Sequence, residues 1–237
     1  MTYVDGFVAA VPAANKEIYR KHAAEAATFF REFGATRIVE AWGDEVPEGK
    51  VTDFKGAVQA KPDEVIVFAW VEYPSKQIRD AVNEKMMNDP RLKEMGSEMP
   101  FDGKRMIYGG FATIIDENSG GKPGYVDGSL IPVPVGNKDA YRETAVKFAT
   151  VLKECGATRA SDSWGDDVPD GKVTDCRRAV KATNDETVVY SFVEWPSKQI
   201  RDEGWKKVMA DPRMRPDSLP FDGKRMIHGG FTPILDA

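Results

Sequence analysis

Carboxylate and guanidinium side chains recur at matching positions in the two halves of this chain, within segments that are otherwise apolar. Asp5 and Asp127 fall inside predicted strands, where a buried carboxylate is costly unless it is paired or hydrogen-bonded. Arg105 and Arg225 belong to the last predicted strand of each half, and we expect them to pair with Asp5 and Asp127. Such a pair would either stabilise the sheet or take part in a ligand site.

A second set of charged residues lies where a central strand gives way to a helix. Glu72 and Glu194 end the strand, and Arg79 and Arg201 follow one turn into the helix. A strand end beside a helix N-terminus favours anionic ligands and acid–base groups. These residues are therefore candidate ligand contacts. The alternative is that Glu72 and Arg79 simply pair with each other.

Aromatic residues also occupy matching places in the two halves. They could line a pocket between the sheet and the helices, or they could belong to the hydrophobic core, which is the commoner use of aromatic side chains at this spacing. The candidates are Tyr3, Tyr19, Trp42, Tyr125, Tyr141 and Trp164.

The residues that usually hold metals or cofactors are scarce and do not match between the halves. His22 and His228 stand opposite other residue types, and Cys155 and Cys176 stand opposite phenylalanines. A duplicated zinc or haem site is therefore not expected, and we predict no metal and no cofactor. No nucleophile has a plausible base, so the sequence assigns no catalytic residue.

Long identical strings show that the chain is a tandem duplication. The first half contains the strings YVDG, WGDEVPEGKVTD, PSKQIRD and FDGKRMI, and each returns in the second half with little or no change. A segment rich in Ser, Gly and Pro lies between the copies and is typical of a linker. We predict one repeat over residues 1–116, a linker over 117–123 and a second repeat over 124–237.

The order of elements within one copy predicts an α+β fold. Apolar segments, N-cap residues and C-terminal glycines delimit the elements. The predicted elements are strands over 3–11, 36–42, 64–73 and 104–115, helices over 15–33 and 75–87, and an extended segment over 51–60. The order β-α-β-β-α-β is the ferredoxin-like arrangement. Gly109 and Gly110 in the last strand indicate a bulge or a close approach of the backbone.

A ferredoxin-like repeat covers only one face of its sheet with helices. A lone copy would expose a large apolar surface, which soluble monomers avoid. We therefore expect the two repeats to pack sheet to sheet as an intramolecular dimeric α+β barrel, a pseudo-dimer within one chain. The whole molecule would be either monomeric or further self-associated.

The bulk composition limits the classes of partner. The chain has 237 residues, of which 41% are hydrophobic and 30% charged, and its net charge is −5. Nucleic-acid binders concentrate positive charge, so a nucleic-acid partner is not expected. No apolar run is long enough to cross a membrane and the first residues do not resemble a signal peptide, which favours the cytoplasm.

The strings YVDG, GKVTD, YPSKQIRD and PFDGKRMIYGGF resemble the YbaA-like family of small bacterial proteins, classed as a domain of unknown function. The resemblance covers nearly the whole chain, twice. It implies a member of the dimeric α+β barrel superfamily, built from ferredoxin-like halves, with no established activity. Members usually carry one copy and would form the barrel as a homodimer, whereas this chain carries both halves.

These observations leave three functions open. The first is binding of a small organic molecule in a pocket between sheet and helices, without catalysis. The second is a cofactor-independent monooxygenase- or isomerase-like enzyme, with Glu72 or Asp5 as the titratable group. The third is a structural or protein-interaction module. Substitutions between the copies, such as Trp70 to Phe192 and Asn83 to Trp205, further predict that the two pockets differ.

Overall fold

The apolar segments of both copies form the strands of one closed barrel in the computed structural model, which describes residues 2–95, 99–214 and 219–237. The first copy comprises β1 (Tyr3–Pro12), α1 (Lys16–Phe33), β2 (Arg37–Glu45), α2 (Phe54–Ala57), β3 (Glu64–Tyr73), α3 (Lys76–Asn88), α4 (Pro90–Met95) and β4 (Ile107–Asn118). The second comprises β5 (Tyr125–Pro134), α5 (Lys138–Glu154), β6 (Arg159–Asp167), α6 (Cys176–Ala179), β7 (Glu186–Trp195), α7 (Lys198–Ala210) and β8 (Ile227–Asp236).

Local sequence signals set most of these boundaries. Ser75 caps α3 by accepting a hydrogen bond from the Ile78 backbone N–H, and Gly34 ends α1 with a φ of 128°. The segment predicted as extended over 51–60 instead contains the short helix α2. Asp53 caps this helix by accepting a hydrogen bond from the Gly56 backbone N–H, a signal that the strand prediction overlooked. In addition, β4 runs on to Asn118, into the segment expected to link the copies.

The strand order around the barrel is β1-β3-β2-β8-β5-β7-β6-β4, and β4 pairs with β1 to close it. The two copies meet edge to edge twice, at β2 with β8 and at β4 with β6. The expected α+β fold with two tandem repeats is therefore confirmed, and the repeats join in one eight-stranded barrel. Within the described residues, no helix is long and apolar enough to span a bilayer.

Aromatic side chains from both copies fill the barrel interior. Phe68 stacks on Tyr190 with ring centroids 4.6 Å apart, and Trp70 stacks on Phe192 at 4.2 Å. All four rings are fully buried. Because these pairs join β3 to β7 across the interior, each repeat supplies half of a shared core.

The glycine of the repeated YVDG string makes room for this aromatic core. A Cβ on Gly128 would lie 2.8 Å from the Phe68 ring, and a Cβ on Gly6 would overlap the Tyr190 ring. Each glycine therefore lets a ring of the opposite repeat lie directly on its backbone.

We expect Gly6→Ala to lower the free energy of unfolding by about 1–3 kcal/mol, because the added methyl forces the Tyr190 ring out of its stack. Urea unfolding followed by circular dichroism measures the change. The matched control is Gly136→Ala, since a Cβ there meets nothing within 4 Å, and we expect it to stay within about 0.5 kcal/mol of the parent. Equal effects of the two substitutions would contradict this explanation of the YVDG string.

Candidate functional site

A cavity lies between the sheet and the first long helix in each repeat. The cavity in the first repeat lies between α1 and the outer faces of β1, β2 and β3, and has a volume of about 150 Å³. The cavity in the second repeat lies at the equivalent place beside α5, with a volume of about 160 Å³. A cavity of about 150 Å³ is large enough to hold a benzene ring.

Strand alternation brings one carboxyl into the first cavity. In β2 the side chains of Val39 and Ala41 point into the barrel, so Ile38 and Glu40 point outward under α1. Glu40 Oε2 accepts a hydrogen bond from the Tyr19 hydroxyl at 2.7 Å. Part of the Glu40 surface remains accessible because it faces the cavity.

Among the described residues, no positively charged side chain pairs with the Glu40 carboxyl. Within the described part of the chain, the Tyr19 hydroxyl is its sole hydrogen-bond donor, and no salt bridge reaches it. Burial therefore raises the pKa of Glu40 to about 7, and the Tyr19 hydrogen bond opposes that rise only in part. A carboxyl of this kind can accept or donate a proton near neutral pH.

The second cavity repeats this arrangement with different side chains. Asp162 in β6 replaces Glu40, and burial raises its pKa, opposed by the hydroxyls of Ser191 and Tyr141. Tyr141 is the counterpart of Tyr19. A carboxyl beside a tyrosine hydroxyl thus faces a cavity in both repeats.

The walls of the two cavities have diverged. In the second cavity, Ser129 replaces Phe7, Ser191 replaces Ala69, and Phe148 replaces Ala26, each of which lines its own cavity. Trp205 also lines the second cavity, with its ring centroid 6.2 Å from that of Phe148. The second cavity is consequently more polar at the sheet and more aromatic at the helices.

Most of the predicted site residues lie outside these cavities. Of the residues proposed as ligand contacts, Tyr19, Tyr141 and Asp127 line a cavity. Trp42 and Trp164 do not line the cavities but lie near the tyrosines that do. Their ring centroids are 6.4 Å from that of Tyr19 and 6.3 Å from that of Tyr141 respectively.

Asp5 pairs with Arg79, and the predicted partnership with Arg105 is wrong. Arg79 Nε donates to Asp5 Oδ1 at 2.7 Å, and the Tyr73 hydroxyl donates to Oδ2 at 3.2 Å. Burial still raises the pKa of Asp5 to about 6, against the opposing effect of Arg79. Arg105 precedes β4 and instead donates to Glu64 at 2.6 Å.

The second repeat follows the same pattern, so the predicted pairing of Asp127 with Arg225 is also wrong. Arg201 Nη2 donates to Asp127 Oδ1 at 2.7 Å. The indole N–H groups of Trp195 and Trp205 donate to Asp127 Oδ2 at 2.9 and 2.7 Å. Arg225 donates to Glu186 at 2.7 Å.

These charged residues also join the two repeats. Arg79 Nη1 donates to Asp167 Oδ2 at 2.6 Å, and the Tyr3 hydroxyl donates to Asp166 Oδ2 at 3.0 Å. At the symmetry-related place, the Tyr125 hydroxyl donates to Asp44 Oδ2 at 2.9 Å. The acidic C-terminal ends of β2 and β6 therefore bind the first strand of the other repeat, and Asp167 also binds the helix α3.

Glu72 and Glu194 pair across the repeats, which rules out the alternative in which Glu72 pairs with Arg79. Arg159 donates to both carboxylate oxygens of Glu72, at 2.7 and 2.9 Å. Arg37 donates to Glu194 at 2.6 Å. Glu72 follows Phe68 and Trp70 on the interior face of β3, whereas Arg79 lies on a helix outside the sheet, so the two cannot meet.

Glu40 and Asp162 were missed by the sequence reasoning, although a signal was present. In RIVEAW, a carboxylate occupies an alternate position of a strand whose outward face is otherwise apolar, and the second copy has an aspartate there. A charged residue in that register must face a polar partner, a ligand or water. The predicted strand over 36–42 contains Glu40 in the correct alternation, so this signal could have identified the residue.

Comparison with known proteins shows the family. The profile of a family described as "Protein of unknown function (DUF1428)" matches residues 2–103 and 124–223. The chain belongs to the DUF1428 family. The uncharacterised protein YbaA from Escherichia coli K12, and its counterpart from Shigella flexneri, are each 67% identical to this chain over 117 residues. The match covers all of either relative and 49% of this chain, so it spans one DUF1428 repeat.

Solved structures with little sequence identity share the fold of this DUF1428 protein. One is described as a "putative monooxygenase" from Lactobacillus acidophilus, with 10% identity and a TM-score of 0.58 over 100% of this chain and 96% of that chain. Another with the same description, from Fusobacterium nucleatum, has 9% identity and a TM-score of 0.57 over 99% and 93%. At this identity the likeness concerns the fold alone.

Proposed function

We propose that this protein binds a small, mostly apolar organic molecule in the sheet–helix cavity of each repeat. The polar contacts would be Glu40 with Tyr19 in the first repeat, and Asp162 with Tyr141 and Ser191 in the second. One observation carries the proposal: at the same place in both repeats, a carboxyl that forms no ion pair with any described residue faces a cavity.

A purely structural role explains this arrangement poorly. An apolar side chain at position 40 would fill part of the gap and avoid burying a carboxyl, which costs stability when it lacks a charged partner. Elsewhere in the chain, the buried carboxylates Asp5 and Glu194 and the half-buried Glu72 are each paired with an arginine. The carboxyl that faces the cavity is therefore better explained as a ligand contact.

We predict two sites of unequal affinity for benzyl alcohol, one in each repeat. Ala27 and Ala149 line the equivalent helix faces, so Ala27→Leu should fill the first cavity and Ala149→Leu the second. Each variant should remove one site in isothermal titration calorimetry and leave the other intact. Ala24→Leu on the same helix, at a position outside the cavity lining, is the control and should leave both sites.

Two outcomes would count against this proposal. Two sites of equal affinity would remove the predicted difference between the cavities. Binding that survives the double variant Ala27→Leu with Ala149→Leu would place the ligand elsewhere.

The second candidate is a cofactor-independent enzyme of the monooxygenase or isomerase type. Its earlier candidates, Glu72 and Asp5, are ion-paired and unsuited to proton transfer. Glu40 favours this function instead, because a cavity carboxyl with a pKa of about 7 suits a general base. The two fold neighbours described as monooxygenases add only analogy. Glu40→Gln should then abolish turnover of a bound substrate while leaving its binding measurable.

For the architecture, we propose that each repeat is a ferredoxin-like unit and that the barrel is an intramolecular counterpart of a dimeric α+β barrel. The strand order β4-β1-β3-β2 within the first repeat supports this proposal. The boundaries 1–116, 117–123 and 124–237 remain our proposed division, and the two matched family segments are compatible with it.

A further inference from the structure

The charges that line the two cavities have one sign. Glu40 is the acid in the first cavity, and Asp162 and Asp127 are the acids in the second. No lysine or arginine of the described residues lines either cavity. His22 lines the first cavity, but burial lowers its pKa, so it carries no charge at neutral pH.

The Glu40 carboxyl has free hydrogen-bonding capacity within the described part of the chain. The bond from Tyr19 goes to Glu40 Oε2, and among the described residues no group donates to Oε1. An ionised carboxylate is acceptor-only and can accept several donors on its two oxygens. A ligand that completes the hydrogen bonding of the Glu40 carboxylate must therefore bring a donor.

Aromatic rings line the cavity that this carboxyl faces. Phe7, Phe30 and Phe101 line the first cavity with Tyr19, and the Phe101 ring centroid lies 5.6 Å from that of Tyr19. In the second cavity, Phe221 lies 5.8 Å from Tyr141, and Trp205 adds an indole. Aromatic faces attract organic cations, most strongly where water is excluded.

We infer that the ligand of both cavities is a small organic amine, bound as its ammonium ion with the apolar part against the aromatic rings. The ammonium would donate to the free oxygen of Glu40, and to Asp162 in the second repeat, as a charge-assisted hydrogen bond. Carboxylic acids and phosphates are excluded, because an anion would meet a carboxylate and no cationic side chain. This inference rests on the proposed function and specifies its ligand class.

The test compares benzylamine, benzyl alcohol and benzoate, which share one ring and differ in charge. Calorimetry at about pH 8, where the amine is still protonated and a carboxyl with a pKa of about 7 is mostly ionised, measures the three affinities. Benzylamine should bind at least about tenfold more tightly than benzyl alcohol, and benzoate should not bind. In the double variant Glu40→Gln with Asp162→Asn, the preference for the amine should disappear while benzyl alcohol still binds.

The outcomes separate this inference from the proposed function. Equal binding of benzylamine and benzyl alcohol, lost in the double variant Ala27→Leu with Ala149→Leu, would overturn the amine and leave the cavities as binding sites. Tighter binding of benzoate than of benzylamine would overturn the amine inference in the same way. Benzylamine binding that persists in the double variant Ala27→Leu with Ala149→Leu would show that surface carboxylates bind the probe. It would overturn both the amine inference and the proposed function. Absence of binding by every probe at millimolar concentration would also overturn both.

Discussion

Replacing Arg159 with alanine should lower the free energy of unfolding by about 3–5 kcal/mol, since it removes one partner from a buried charge network. The Arg159 guanidinium donates to both oxygens of Glu72, at 2.7 and 2.9 Å, and to both oxygens of Asp116, at 2.6 and 2.9 Å. Its side chain is 5% exposed. The variant would leave Glu72, whose side chain is 15% exposed, without its principal cation, whereas Asp116 lies in an exposed position and can be solvated.

The network joins the two repeats, which enlarges the expected effect. Glu72 belongs to the first repeat and Arg159 to the second, and the symmetry-related pair is Glu194 with Arg37. Arg37 Nη1 lies 3.5 Å from Glu72 Oε1, and Arg159 Nη1 lies 3.8 Å from Glu194 Oε1. Loss of one arginine therefore weakens the electrostatic stabilisation of both Glu72 and Glu194.

Denaturant unfolding of Arg159→Ala measures this loss. Arg20→Ala is the control, because Arg20 and its partner Glu17 are both exposed, and such a pair contributes about 0–1 kcal/mol. The double variant Arg159→Ala with Glu72→Gln should recover part of the loss, since it removes the unpaired charge. A loss below about 1 kcal/mol for Arg159→Ala would mean that water or Arg37 fully replaces the missing cation.

The second large effect has the opposite sign: Glu40→Gln should stabilise the protein at about pH 8. The folded-state pKa of Glu40 is raised by burial from 4.5 to about 7. The folded protein therefore binds more protons than the unfolded chain between these values, and its stability falls as the pH rises through them. Above pH 7 the ionised carboxyl costs the fold about 3 kcal/mol, because a tenfold change in acid dissociation constant corresponds to about 1.36 kcal/mol and the pKa rises from 4.5 to about 7.

Glutamine keeps the size and the acceptor oxygen for Tyr19 but cannot ionise. The gain over the parent should be near its full size at about pH 8 and small at about pH 5, where the parent carboxyl is protonated in the folded state. Unfolding curves at the two pH values give this difference. Glu48→Gln, at a side chain that is 82% exposed, is the control and should change stability by less than about 0.5 kcal/mol at either pH.

Destabilisation by Glu40→Gln at about pH 8 would show that the carboxylate is satisfied within the fold, and would weaken the case for a ligand. The expected gain would show instead that the residue lowers stability in the empty protein. Ligand-binding residues commonly lower the stability of the fold, because polar groups whose hydrogen bonds the fold leaves unmade are the ones available to a ligand.

The amino-acid sequence by itself determined the duplication and nearly all of the elements. The strand Glu64–Tyr73 has the predicted boundaries, and Ser75 caps the helix that follows, as expected. These features depend on short-range causes: apolar runs, side-chain caps and the positive φ that Gly34 tolerates. Gly110 likewise has the close contacts predicted for it, since an added Cβ would lie 2.6 Å from the Tyr3 hydroxyl.

Only the tertiary structure decided which charged groups meet and which carboxyl remains available. Gly110 pairs with Asp5, and Arg105 precedes that position by five residues, about 16 Å along an extended chain, so the predicted ion pair is out of reach. Glu72 meets Arg159 because the partner comes from the other repeat, at a separation of 87 residues. Local rules carry no information about such pairings. They also cannot show that Glu40 faces a gap under α1, since a cavity is what remains after every other side chain has been placed.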